Sequence, residues 1–374
     1  MKCSIFRKQT FRPYNHKDEM ILNKTKIINT LSKLLDQQSL DQIRDTVKEF
    51  KTNVANLPSD KKGFINIGFN GNTIKVGSKY LTGELDQILD TKTIERTKYY
   101  IQRLVRSLSK SKTSKINDLN LHRWKEYGDI LTDSLWVLDK RGTSGAHRSG
   151  YWGNFIPQIP HQLLRRYTKK GEWVLDAFLG NGTTLIESKR LGRNGVGVEL
   201  LPKVAHSAAK AIEQEDDLFS ARTEIIVGDS SSLDFKLELK QRNIKSVQFL
   251  IMHPPYWNII KFSEDKKDLS NAKTLDEFLN LFGKVVDATY PVLENGRYFA
   301  VVIGDKYSGG NWIPLGFYTM QEVLKRGYSL KSVIIKNFDE TKGKRNQKEL
   351  WRYRALVGGF YIFKHEYIFL FKKE

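Results

Sequence analysis

At 374 residues the chain is long enough for a catalytic core of about 200 to 230 residues plus an added region, and its 40% hydrophobic and 28% charged residues are those of a globular protein. No apolar run approaches the roughly 20 residues that span a bilayer, and with Cys3 as the single cysteine an internal disulfide and a cysteine zinc site are excluded. The 62 Lys+Arg against 42 Asp+Glu leave +20, which points to a polyanionic partner or, more blandly, to a solvated basic surface.

The basic start Met1-Lys2-Cys3 lacks the apolar stretch of a signal peptide, so cytoplasmic residence is expected. From Ser39, the residues Leu40, Ile43, Val47 and Phe50 share one helical face behind a Ser39/Gln42 capping pair, predicting a helix. Next, Phe64 to Phe69 and Asn72 to Val76 flank Asn70-Gly71, a dipeptide suited to a two-residue turn with positive φ, predicting a β-hairpin. Between Thr93 and Ser109, Ile94, Ile101, Leu104, Val105 and Leu108 keep helical spacing while Arg96, Arg103 and Arg106 fall mostly elsewhere. This basic amphipathic helix either contacts phosphate or turns a solvated face outward. Lys110 to Lys115 reads as an exposed loop.

From about Tyr151 short apolar strands alternate with helices. Strands are predicted at Trp173 to Phe178, Gly195 to Leu200, Glu224 to Gly228, Gln248 to Met252 and Arg297 to Gly304. Helices are predicted at Pro160 to Thr168, Thr183 to Leu191, Pro202 to Gln214, Leu275 to Thr289 and Pro314 to Lys325. Such alternation makes an α/β fold with a mostly parallel, doubly wound sheet. Two further strand-like runs, Tyr328 to Ile335 and Phe360 to Lys372, have no clear helix between them, so an antiparallel strand is expected at the sheet edge.

In such a sheet ligands bind beyond the carboxyl ends of the strands. One strand leads into Asp176-Ala177-Phe178-Leu179-Gly180-Asn181-Gly182-Thr183-Thr184, where the glycines allow close backbone approach and the following helix start offers free N–H groups. It is not a phosphate-binding P-loop, because no Lys-Ser/Thr follows the last glycine, and it lacks the third glycine of the dinucleotide fingerprint. The next strands end at Glu199, suited to ribose hydroxyls, and Asp229, able to hold an adenine amino group. Three acids at successive strand ends describe an adenosine-shaped site. A fourth strand stops at His253-Pro254-Pro255-Tyr256-Trp257, where prolines stiffen the chain and leave carbonyls as fixed acceptors beside an aromatic ring. The seven histidines show no metal spacing.

The stretch Asp176 to Thr184 resembles the cofactor motif of the amino-methylating DNA methyltransferases, and His253 to Tyr256 resembles their catalytic (Asp/Asn/Ser)-Pro-Pro-(Tyr/Phe/Trp) motif. Asn154 to Arg166, with Phe155, Pro157, Pro160, Leu163 and Arg165, is similar to the segment that wraps the methionine end of the cofactor there, and His365 to Lys372 to a late strand of that family. The resemblance covers roughly Tyr151 to Lys373. It implies a Rossmann-like S-adenosylmethionine-dependent fold, with Phe155, Pro157, Asp176, Phe178, Gly180, Gly182 and Thr183 around the methionine end, Glu199 on ribose and Asp229 on adenine. It further implies that Pro254 offers its carbonyl to a substrate amino group and that Tyr256 stacks on a base flipped from duplex DNA. N6 of adenine is favoured over N4 of cytosine on family frequency. Double-stranded DNA is the implied partner, which would place the protein on the nucleoid, and the resemblance allows for a cognate restriction enzyme.

His253 departs from the family pattern, since imidazole accepts only through an unprotonated nitrogen. With an ordinary value near 6.5, its charging predicts that activity falls on mild acidification. It also leaves room for a catalytically silent DNA recognition subunit, and similar motifs serve RNA base methyltransferases. Asn181 for the commoner Ser is a milder departure. The expected division is residues 1–140, an α+β region for DNA target recognition carrying Arg96, Arg103 and Arg106, and residues 141–374, the catalytic domain. Within the latter a basic insert near 336–356 sets Lys342, Lys344, Arg345, Lys348, Arg352 and Arg354 beside Trp351 and Tyr353, as phosphate contacts and gap fillers or as an exposed charged loop.

Overall fold

The computed structural model describes residues 19–55, 72–138, 140–147, 153–338 and 348–374, which fall into two units: 19–115 with 119–129, and 116–118 with 130–374. No helix among them is long and apolar enough to cross a membrane.

In the first unit β1 (Glu19–Asn23) leads into α1 (Lys24–Lys33), followed by α2 (Leu40–Ala55), β2 (Thr73–Gly77), α3 (Ser78–Leu89) and α4 (Ile94–Ser109). Helix α2 starts where Ser39 Oγ accepts from the Gln42 N–H at 3.5 Å, and α4 where Thr93 Oγ1 accepts from Arg96 N–H at 3.3 Å. Their apolar stripes, Ile43, Val47 and Phe50 on α2 and Ile101, Leu104 and Leu108 on α4, are buried together with Ile27 and Leu31 of α1. The second strand of the expected hairpin is β2, and its described partner is β1, paired antiparallel; the turn Asn70-Gly71 and the first strand lie outside the described residues.

The second unit begins with β3 (Leu135–Trp136) and alternates α5 (Gln158–Tyr167), β4 (Trp173–Asp176), α6 (Thr183–Leu191), β5 (Asn194–Glu199), α7 (Pro202–Glu213), β6 (Thr223–Val227), α8 (Phe235–Gln241), β7 (Val247–Met252), α9 (Leu275–Thr289) and β8 (Leu293–Ile303). It continues through a small hairpin of β9 (Lys306–Ser308) and β10 (Asn311–Ile313), then α10 (Leu315–Leu324), β11 (Tyr328–Asn337), α11 (Lys348–Gly358) and β12 (His365–Lys373). Eight strands form one sheet in the order β3-β11-β12-β8-β7-β4-β5-β6. Alternation along β7 shows the double winding: Phe249 and Ile251 pack with Ile159 and Leu163 of α5, whereas Leu250 and Met252 pack with Phe278, Phe282 and Val286 of α9.

Two expectations are corrected here. The antiparallel strand is β12, but it runs between β8 and β11, antiparallel to both, and parallel β11 and the short β3 close that side. The reason is burial on both faces: Ile368 and Leu370 enter one core, Tyr367, Phe369 and Phe371 the other, so β12 behaves as a central strand. Between β11 and β12 there is a helix, α11, where none was expected. Its Leu350, Tyr353, Leu356 and Val357 are exposed, so no buried stripe marked it in the sequence.

Candidate active site

Beyond the carboxyl ends of β4, β5, β6, β7 and β8 lies a cleft of about 760 Å³. Its walls carry Phe178, Gly180, Glu199, Asp229, His253, Pro254, Pro255 and Tyr256, together with Arg141, Asn154, Phe155, Asp268, Lys336, Trp351 and Glu366. The cofactor-like and catalytic-like motifs therefore meet in one cavity, as the sheet order requires when β7 pairs with β4.

The glycine loop is shaped by Gly180 at φ 52° and Gly182 at φ 81°, left-handed conformations that turn the chain from β4 into α6. Asp176 is buried beneath it, with Oδ1 accepting from Phe178 N–H at 2.9 Å and Oδ2 from the Thr184 hydroxyl at 2.5 Å; burial pushes its carboxyl up to about 6. Asp176 thus braces the loop from within and is not on the cleft wall. Glu199 is on the wall and ties two loops together: Oε2 accepts from Gly180 N–H at 2.9 Å and Oε1 from Leu201 N–H at 3.0 Å, while burial raises its carboxyl. Asp229 Oδ1 accepts from Ser231 N–H and hydroxyl, both at 2.8 Å. Pro157 is buried at the cap of α5, and Gly182 and Thr183 sit behind the wall.

On the other side, β7 delivers His253 to the cleft. The Tyr256 ring crosses the end of β8 at Gly304, where a Cβ would stand 2.7 Å from Cε2. The crossing lets Tyr256 reach β12, and its hydroxyl donates to Glu366 Oε2 at 2.8 Å. Glu366 stands opposite Lys336 in the β11–β12 register, with Lys336 Nζ 3.0 Å from Oε1. Burial works to raise the Glu366 carboxyl, but the Lys336 ammonium and its other partners outweigh it and hold it below the usual range. Burial, reinforced by Glu366, raises the Tyr256 phenol well above its usual value. His253 Nε2 lies 3.3 Å from the Tyr256 hydroxyl, and its ring meets Phe155 edge-on at 4.9 Å between centroids.

Burial pushes His253 down to about 4. The expected titration near pH 6.5 is therefore corrected: desolvation keeps the imidazole neutral through mild acid. Trp257 follows at φ 49°, with Nε1 donating to Ala272 O at 2.9 Å and Lys306 Nζ 4.0 Å above its ring, so the turn after Tyr256 is fixed on both sides.

Two cleft residues went unread in the sequence. Arg141 Nη1 donates to Phe155 O at 2.7 Å and Asn154 O at 3.2 Å, while its Nε and Nη2 are buried without partners among the described residues. Asn154 Oδ1 accepts from the Thr183 hydroxyl at 2.6 Å, and its Nδ2 is likewise buried without a partner among the described residues. Nothing in their neighbourhoods flags them, since only the return of the chain over the glycine loop brings them together. Glu366 and Lys336 were hidden for a similar reason.

The basic residues divide. Arg96 and Arg106 of α4 are exposed, whereas Arg103 reaches to Glu84 at 2.5 Å and Gln87 at 2.6 Å within its own unit. On α11 Arg352 is exposed and Trp351 lines the cleft; Lys342, Lys344 and Arg345 lie outside the described residues. Among the described residues no cluster of three His, Cys, Asp or Glu could hold a metal ion.

A family model described as DNA methylase, covering N6 and N4 methyltransferases, matches residues 9–210 and 247–374. The Type II methyltransferase M.MjaII of Methanocaldococcus jannaschii is 38% identical over 75 residues, 20% of this chain and 14% of that protein. M2.DpnII of Streptococcus pneumoniae, also a Type II methyltransferase, is 38% identical over 101 residues, 26% of this chain and 34% of its own. The matches thus span 14% and 34% of these two relatives. Among solved structures, TrmN from Thermus thermophilus is similar with a TM-score of 0.38 at 17% identity, over 59% of this chain and 49% of that one.

Proposed function

Because the chain belongs to the DNA methylase family, we propose that it moves a methyl group from S-adenosylmethionine to an exocyclic amino group, N6 of adenine or N4 of cytosine, in duplex DNA. The observation that carries this reading is one cleft lined by both Glu199, beside the glycine loop, and Tyr256, beyond the two prolines.

The cleft suits the cofactor. Glu199 and Asp229 keep acceptor capacity for ribose hydroxyls and an adenine amino group, and Phe155, Phe178 and Gly180 would line the methionine end. The unpartnered donors of Arg141 and Asn154 match a carboxylate, which would satisfy polar groups that are otherwise costly to bury. Pro157, Asp176, Gly182 and Thr183 act one layer back by fixing the loop and the start of α6. When bound, the cofactor supplies a sulfonium methyl: the amino nitrogen lone pair forms the new N–C bond, and the C–S pair leaves on sulfur.

His253 accepts a hydrogen of the amino group, and then the proton it releases, through an unprotonated ring nitrogen. The Pro254 carbonyl accepts the second hydrogen, Pro255 stiffens the strand exit, and Tyr256 stacks on the flipped base. Catalysis is chiefly positioning, with the lone pair aimed at the methyl group. Target recognition falls to the N-terminal unit, where Arg96 and Arg106 offer exposed cations. Arg352, Lys344 and Arg345 are further phosphate contacts in this reading, and Trp351 fills the gap left by the flipped base. Since the relatives are Type II methyltransferases, a nuclease of matching specificity is the natural second partner.

The test is transfer of labelled methyl from the cofactor to whole-genome-amplified bacterial DNA, with RNA in parallel, followed by base-resolved sequencing of DNA from an expressing host. Methylated adenine or cytosine at a recurring sequence is expected. Label in RNA alone, or none in single-turnover reactions with DNA bound, overturns the proposal.

A further inference from the structure

Where the family pattern has an oxygen acceptor, this chain has an imidazole, whose two nitrogens differ: in the neutral ring one carries hydrogen and the other a lone pair. Which is which depends on the hydrogen bond to Nε2 and on what lies behind it. Glu366 is nearly enclosed, with its side chain 12% exposed, and its Oε1 is occupied by Lys336 at 3.0 Å. Its Oε2 takes the hydrogen of the Tyr256 hydroxyl at 2.8 Å. That hydroxyl has only one hydrogen, so its oxygen can serve His253, 3.3 Å away, only as an acceptor. Nε2 must then be the protonated nitrogen, and the lone pair falls to Nδ1. Among the described residues the Nε2 contact is the one hydrogen bond of this ring, and His253 lines the cleft.

We propose that Glu366 is a positioning residue: anchored by Lys336 and acting through Tyr256, it locks His253 as the Nε2–H tautomer, making Nδ1 the acceptor for the substrate amino group. The identity of that group rests on the methyl-transfer reading; the tautomer does not. The order of strands makes the arrangement possible, because Gly304 lets Tyr256 pass over β8 from β7 to β12. A Glu366→Gln substitution should invert the relay. Lys336 retains the amide oxygen, so the amide NH2 faces Tyr256, whose hydroxyl turns to donate to Nε2 and drives hydrogen onto Nδ1.

The experiment uses the full chain with 15N-labelled histidine at pH 7.5, identifying the His253 imidazole signals by their loss in His253→Asn. Wild type is expected to show hydrogen on Nε2, and Glu366→Gln hydrogen on Nδ1. With amplified bacterial DNA, E366Q should lower kcat about 100-fold while leaving cofactor KM within about twofold. In an H253N background, whose amide oxygen needs no relay, the same substitution should cost less than about twofold. Wild type carrying hydrogen on Nδ1 overturns the proposal, as does an E366Q cost of equal size in both backgrounds. If wild type shows Nε2–H but methylates nothing, the relay stands and the proposed function fails.

Discussion

The Tyr256 ring rests on Gly304 so closely that a side chain at 304 has no room: a Cβ there would meet Cε2 at 2.7 Å and Cδ2 at 3.2 Å. Gly304 has no positive φ, so its need for glycine comes from the ring above it. Gly304→Ala should tilt Tyr256 away from Glu366 and from a stacked base. A fall in kcat of about tenfold or more is expected, since small misplacements near reacting groups carry costs of that order, with the melting temperature little changed. Steady-state kinetics beside a thermal melt checks both; an alanine variant with full kcat refutes the packing argument.

Acid sensitivity should appear late. His253 has a folded value near 4, below its unfolded value of about 6.5, so the neutral form is favoured by folding. Its contribution to stability is complete above about pH 6.5 and is lost as pH falls toward 4. The single-turnover rate should likewise stay level from pH 8 to 5.5 and decline toward 4. A midpoint near 6.5 that vanishes in His253→Asn would show that the ring is more solvated than its surroundings indicate.

Arg141 separates binding from folding. Its Nη1 holds the carbonyls of Phe155 and Asn154, but its Nε and Nη2 have no partners among the described residues. In Arg141→Met, relief of the buried charge therefore offsets the two lost hydrogen bonds, and the melting temperature of the free protein should change little. Affinity for S-adenosylhomocysteine should fall about tenfold or more, as lost charge-assisted hydrogen bonds imply. Calorimetric titration measures this, and equal affinity in the two proteins removes Arg141 from the cofactor site.

The three arginines of α4 should behave differently. Arg96→Ala and Arg106→Ala remove exposed cations, and each should lower the salt slope of DNA binding by about one without changing stability. Arg103→Ala instead strips a partner from Glu84, which is buried, and should lower the melting temperature by several degrees. Salt titrations of binding and thermal melts distinguish them; three identical phenotypes would exclude this division.

The sequence made the sheet legible where strands and glycine turns are local events. The run from Trp173 to Leu191 could be read almost to the residue, because alternation, paired glycines and helix start lie within one stretch. What stayed hidden depends on register. Lys336 and Glu366 are thirty positions apart and become partners only because β11 and β12 pair antiparallel. Arg141 and Asn154 gain meaning only where the chain folds back over the glycine loop. The hairpin of β9 and β10 is too short to carry a periodic signal, and α11 keeps its apolar side chains outside any core.

Strand β12 is later in sequence than the seven other strands of its sheet, yet β3 and β11 reach β8 only through it. During synthesis the strands from β4 to β8 can assemble in order as they emerge, while β11 has only the two-residue β3 beside it until β12 follows. Glu366 arrives with β12, so the cleft acquires its anchor for Tyr256 in the same event that joins the two parts of the sheet. A nascent chain stopped before residue 365 would carry Glu199 tied to the glycine loop but no Glu366 to hold Tyr256. On the proposed reading, the chain gains its nucleoside side on the ribosome before the acceptor that acts on a base.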